Sequence, residues 1–274
     1  MRETYFQILK SLIQIPSPSG QEKELADFIV ENFLTEGWVV ERDAVHNILF
    51  RPHDDNKTEK LPLLYAHLDT HPNGEANNYL LNAEDIIYLN AAGNIEKSEK
   101  IQMGFDDKAG VAAILYLMKH TKLKFRALFV VQEESSNLQT RFNRQGGGGI
   151  DYALKNDFKW VFNKSANVLS LDRQRGNEII TAYGGNGLRN RIELCTAEFK
   201  EWIIKCSERA GYPIAEAHSN NVADVYNIKS DFDNLNCANL SIGYYCEHNN
   251  CEYLNINETL GVIRVVKECL LSKS

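Results

Sequence analysis

The sequence predicts a three-layer α/β/α fold around a mixed, mostly parallel central sheet. Two patterns point to it. Apolar runs of strand length alternate with segments whose apolar residues recur at helical spacing. That alternation continues along all 274 residues, as a series of βαβ units requires. No internal repeat, low-complexity tract or linker divides residues 1–274, so a single domain is expected.

Tyr5, Phe6, Leu9, Leu12 and Ile13 predict a helix over 2–13, broken by Pro16 and Pro18. Ser19 and Glu22 have capping-box spacing. Behind them Leu25, Phe28, Ile29 and Phe33 continue one apolar face, with Gly37 as the stop. Residues 38–41 and 48–51 read as a hairpin, left through the polar stretch 54–60. The run 61–66 is short and unbroken, the pattern of a buried strand. Residues 71–100 are polar, with a short strand expected over 86–89. A strong helix follows over 107–120. Strands are expected over 125–131, 160–162, 168–171, 179–183 and 238–242, and helices over 197–210 and 259–271.

Hydrophobic content of 43% and charged content of 24% are ordinary for a globular protein. The net charge of -7 argues against nucleic acid or an anionic membrane as the main partner. Residues 1–10 lack a secretory h-region, and no apolar stretch is long enough to span a bilayer. The six cysteines all lie in the last third, without the density of a disulfide scaffold. They read as reduced thiols, and a cytoplasmic location is expected.

Five segments end an apolar run with a metal-seeking side chain. They carry His67 with Asp69, Asp106, the pair Glu133 and Glu134, Asp172, and His248. In open α/β sheets ligands gather beyond the carboxyl ends of the strands, so distant segments can meet on one rim. Two histidines and three carboxylates, one free to bridge, suit two neighbouring divalent ions. A metal-bound imidazole usually donates its other N–H to a carboxylate, and Asp69 is placed for that. Glu133 beside Glu134 is placed for proton transfer. Each motif has an ordinary alternative taken alone: a strand end, a helix cap or a solvated acidic turn. Their conjunction in one α/β chain favours the metal reading.

With these residues in view, the chain resembles the co-catalytic zinc exopeptidase superfamily, which includes tripeptidase T, the aminoacylase and carboxypeptidase G relatives, and the glutamyl-type aminopeptidases. His67-Leu-Asp-Thr70 and Asp106-Asp-Lys-Ala-Gly110 are similar to tripeptidase T, and Val130-Val-Gln-Glu-Glu134 to the glutamyl type. Ile15-Pro-Ser-Pro-Ser-Gly20 with Glu22 resembles the family's first helix junction. The resemblance implies that His67 and Asp172 hold one metal, Glu134 and His248 the other, and that Asp106 bridges them. It implies Glu133 as general base, Asp69 as support for His67, and a cis peptide after Asp106. The implied cofactors are two divalent ions, zinc first, with cobalt or manganese also suitable. The implied activity is amide hydrolysis of a short peptide or an N-acyl amino acid.

The sequence departs from the family in four places. Ser135 and Ser136 stand where a glycine usually follows the glutamate pair, and Asn249 and Asn250 follow the last histidine in place of Ser/Thr-Pro. The stretches from His67 to Asp106 and from Asp172 to His248 are too short for the lids inserted in relatives. A bare catalytic domain is therefore expected. A catalytically inactive relative that binds a peptide or protein is the rival reading.

Other features read as structural. Asp224 is expected to cap a helix, and His46, His53, His71, His120 and His218 to be surface or packing residues. Gly146 to Gly149 lacks a following Lys-Ser/Thr, so it reads as a flexible loop able to act as a small lid, not as a phosphate loop. Cys246-x-His248-x-x-Cys251 is half of a structural zinc pattern with no second half.

Overall fold

The computed structural model describes residues 1–71, 87–89, 94–97, 103–134, 148–184, 191–219, 223–249 and 251–272. The helices among them are α1 (Arg2–Ile13), α2 (Lys23–Phe33), α3 (Phe105–His120), α4 (Gly149–Lys155), α5 (Lys159–Asn163), α6 (Ala197–Arg209), α7 (Val225–Asp231) and α8 (Ile256–Leu271). The main sheet contains β1 (Trp38–Arg42), β2 (Ile48–Pro52), β3 (Leu61–His67), β6 (Arg126–Val130), β7 (Ser165–Ser170), β8 (Glu178–Ile180), β11 (Ala215–Glu216) and β12 (Cys237–Leu240). Its order is β1-β2-β6-β3-β7-β12-β8-β11. The centre, β6-β3-β7-β12, is parallel, and the β1-β2-β6 edge and the β12-β8 pair are antiparallel. A mixed sheet with a parallel core is the architecture expected. Two smaller sheets pair β9 (Ala182–Tyr183) with β10 (Ile192–Glu193), and β13 (Tyr244–Tyr245), β14 (Tyr253–Asn255), β5 (Asn94–Lys97) and β4 (Ile87–Leu89).

Period-two alternation divides the core into two layers. Leu64 and Ala66 of β3 and Ala127 and Phe129 of β6 face a cluster built with α1, α2, α3, α6 and α8. Leu63, Tyr65, Leu128 and Val130 face a second cluster with α4, α5 and α7. β3 lies in the middle, so both of its faces must be apolar, and the run 61–66 shows that pattern. No helix among the described residues is long and apolar enough to cross a membrane.

Four local expectations need correction. Residues 160–162 lie in helix α5, not in a strand; a three-residue apolar run has no period long enough to separate the two. Ser19 and Glu22 form no capping box. Glu22 has no side-chain cap bond and instead accepts from the main-chain N–H of Gly20 at 2.7 Å and of Gln132 at 3.0 Å, tying the first helix junction to the strand β6 exit. α2 ends at Phe33, short of Gly37, whose φ of 90° serves the turn into β1. Asp224 stands at the start of α7 without a capping bond. The proposed lid at 146–149 lies partly outside the described residues. Gly148 and Gly149 are fixed in place: a Cβ on Gly149 would sit 2.3 Å from Asn47 Oδ1 and 2.6 Å from the Val131 carbonyl.

Candidate metal centre

Three carboxyl ends of adjacent parallel strands deliver most of the site. His67 closes β3 opposite Val130 of β6, and Tyr65 lies opposite Ser170 of β7. Glu133 and Glu134 follow β6, and Asp172 follows β7. α3 starts under the same rim and packs close to it because Gly110 has no Cβ; one there would lie 2.4 Å from the Leu171 carbonyl. Asp106 and Asp107 occupy its first turn, joined by a cis peptide. His248 arrives from the β13–β14 connection.

These segments converge. Asp106 Oδ1 is 3.1 Å from His67 Nε2, and its Oδ2 is 3.3 Å from His248 Nε2. His67 Nε2 is also 3.5 Å from Asp172 Oδ1. His248 Nε2 is 2.5 Å from Glu134 Oε1. Donor atoms of His67, Asp106 and Asp172 lie within 4.8 Å of one another, as do those of His71, Glu134 and His248, and of His67, Glu133 and Glu134. His71, read as a packing or surface residue, stacks on His248 with ring centroids 4.3 Å apart. A cavity of about 270 Å³ opens over Asp106, Glu133, Glu134, Asp172 and His248.

Fully buried Asp69 is bonded mostly away from His67. Its two carboxylate oxygens accept the main-chain N–H groups of Glu133 and Glu134, each at 2.9 Å. His67 Nδ1 is 2.9 Å from the Asp69 carbonyl and 3.4 Å from its carboxylate. Asp69 thus fixes the glutamate turn with its side chain and the imidazole with its main chain. Asp107 points away from the cavity, accepting from the main-chain N–H of Gly110 at 3.1 Å and of His67 at 3.3 Å.

Comparison with known proteins supports the same family of folds. No protein-family model matches the chain. The "Cytosol non-specific dipeptidase" of Escherichia coli is 31% identical over 145 residues, a match spanning 51% of this chain but 30% of that relative's length. Among solved structures, aminopeptidase PepT from Bacillus cereus superposes with a TM-score of 0.76 at 14% identity, covering 99% of both chains. A tripeptidase from Staphylococcus aureus gives a TM-score of 0.71 at 14% identity over 98% of this chain and 97% of that one. The TET1 peptidase of Pyrococcus horikoshii gives 0.66 at 14% identity over 96% and 98%. This chain has the α/β fold of these structures.

Within that fold the electrostatics of the site are dominated by carboxylates crowded out of water. Burial pushes Glu134 up to about 8, with Asp106 adding to it, and burial takes Asp172 to about 6. Glu133 is driven well above the carboxylate range by burial and then by Asp224. Burial favours neutral imidazoles, but the surrounding carboxylates outweigh it: His248 rises to about 10 and His67 well above its usual value. For Asp106 burial acts upward, yet the bonds from His248 and His67 prevail and hold it below the usual range.

Three supporting residues were not legible in the sequence. Asp224 accepts the Tyr65 hydroxyl beside Glu133. Tyr244 donates its hydroxyl to Asp172 Oδ1 at 3.2 Å. Glu252, four residues after His248 and 1% exposed, accepts the main-chain N–H groups of Met103, Gly104 and Asp106 at 2.7, 2.8 and 3.1 Å. It therefore links the His248 segment to the turn that presents Asp106. Glu252→Ala orphans three N–H groups, and a loss of about 3 kcal/mol or more is expected from urea denaturation. A variant as stable as the wild type would show that water or another group takes its place.

Proposed function

We propose that this chain is a metal-dependent peptide hydrolase of the exopeptidase type, acting as a single catalytic domain. The observation that carries the proposal is Asp106, with one carboxylate oxygen 3.1 Å from His67 and the other 3.3 Å from His248. The donor set fits two divalent ions. Imidazole and carboxylate suit zinc, and cobalt or manganese as well. Buried carboxylates at this density need cations to stay ionised. His67 and Asp172 would hold one ion, Glu134 and His248 the other, and Asp106 both. When bound, the ions supply an activated water and a polarised scissile carbonyl.

The chain's own residues do the remaining work. Glu133 takes a proton from the attacking water and returns it to the leaving amine. Asp69 keeps Glu133 in reach by accepting its N–H at 2.9 Å. Tyr244 and Asn239 orient Asp172, Asn239 by accepting from its main-chain N–H at 3.1 Å and donating to its carbonyl at 2.7 Å. The substrates are short peptides or N-acyl amino acids, and the relatives named dipeptidase, tripeptidase and aminopeptidase favour the former. A cytoplasmic location is part of this proposal, supported by the name of the Escherichia coli relative. Zinc- or cobalt-loaded protein is expected to hydrolyse short peptides, to stop after chelation and to recover when metal returns. Activity that survives complete chelation refutes the proposal.

The raised histidines give a pH prediction. The surrounding carboxylates favour protonated His67 and His248 in the metal-free protein, whereas a ligating imidazole is neutral. Metal and protons compete, so affinity must rise with pH. Protons should leave from His67, His248 and Glu134, the last pushed up to about 8, when both sites fill at pH 7. Titration calorimetry in buffers of different ionisation enthalpy counts them, and no release would contradict protonated histidines in the metal-free site.

A further inference from the structure

The candidate ligands are not held equally. The side chain of His67 is 1% exposed, and those of Asp106, Glu134 and Asp172 are 7% exposed. All four stand at strand ends or in the first turn of a helix. His248 sits instead in the connection between β13 and β14, with its side chain 36% exposed and a φ of 62°. That backbone region is uncommon for any residue but glycine. A ligand placed this way depends on a neighbour to hold its ring.

His71 is that neighbour. Its ring stacks on His248 with centroids 4.3 Å apart and planes 15° from parallel. The residue before it is fixed twice. Thr70 donates its N–H to the Ser17 carbonyl at 2.8 Å and accepts from Ser19 N–H at 3.2 Å, which ties it to the junction between α1 and α2. Gly104, two residues ahead of Asp106, packs so closely that a Cβ there would lie 2.3 Å from Thr70 Cγ2. The Ile15–Gly20 segment, which the proposed chemistry leaves unused, thus anchors the backbone that carries the His71 ring.

Donor atoms of His71, Glu134 and His248 lie within 4.8 Å of one another, so ligation by His71 is the alternative. The stack argues against it. An imidazole lone pair lies in the plane of its ring, and two stacked planes 15° from parallel do not meet at one ion. We propose that His71 is a positioning residue, whose ring holds His248 in place for the second ion without ligating that ion. This rests on the two-ion reading and adds to it a residue that the family resemblance does not assign.

Zinc titration calorimetry on the full chain compares wild type with His71→Ala and His71→Phe, and thermal melting establishes that the variants fold. His71→Ala should weaken one of the two zinc sites by about 10-fold or more, the scale of removing a residue that orients a ligand, and leave the other unchanged. His71→Phe keeps a flat ring without a nitrogen and should restore most of the loss. Wild-type protein loaded with cadmium and isotope-labelled at histidine should show metal-to-nitrogen coupling on His67 and His248 and none on His71. Coupling on His71, or a Phe variant as weak as the Ala variant, overturns the inference in favour of a ligand. An Ala variant that binds both ions like wild type overturns it and leaves the two-ion centre standing. Wild type that binds no zinc removes the metal centre itself, and this inference with it.

Discussion

Glu133→Ala should keep its metal and lose about 10³-fold in turnover, the scale of a general acid–base group. Glu133 lines the cavity, and its main chain is tied to Asp69. Its carboxylate also belongs to a group with His67 and Glu134 whose donor atoms lie within 4.8 Å, so a ligand role is a real alternative. Metal content separates them. A base leaves the metal count per chain intact when removed; a ligand takes metal with it. Elemental analysis and steady-state rates on the same preparation are the measurements. Retained turnover removes Glu133 from proton transfer.

Asp106→Ala should lower metal affinity by more than about 100-fold, the scale reached by losing a supporting residue alone, and leave no measurable turnover. The ordinary alternative for an Asp at a helix start is capping, worth about 1 kcal/mol of stability. α3 gives that alternative little support. Its N-cap is Gly104, it has no side-chain cap bond, and the Asp106 oxygens go to His67 and His248. Calorimetric zinc titration of the variant measures the effect. Zinc binding like that of wild type, with only a small drop in melting temperature, would assign Asp106 to the helix alone.

The fold was legible because its strongest signals are periodic and long. The apolar faces of α1, α2, α3, α6 and α8 and the buried β3 run all follow from spacing. The misreadings fall where local rules meet tertiary demand. Glu22 and Asp224 are residue types that cap helices, but each is bonded across the fold, Glu22 to Gln132 and Asp224 to Tyr65. Nothing in the neighbouring residues distinguishes a cap from such a crosslink. Residues 160–162 failed because three apolar side chains fit a strand or a helix turn equally well.

The candidate site was legible for a different reason. Strand-end positions of parallel strands are set by topology, so His67, Glu133, Glu134 and Asp172 could be grouped before any geometry. Asp106, just before a helix, and His248, a short loop after a strand, joined them by residue type and place in the chain. Glu252 was missed because its partners are main-chain N–H groups of Met103, Gly104 and Asp106, and no residue type advertises those.

Anomalous diffraction from crystals grown with ample zinc tests the arrangement most directly. Two peaks are expected, one touching His67 and Asp172 and the other touching Glu134 and His248, with the carboxylate of Asp106 between them. A single peak, or peaks that leave Asp106 uncoordinated, would contradict a shared two-ion centre.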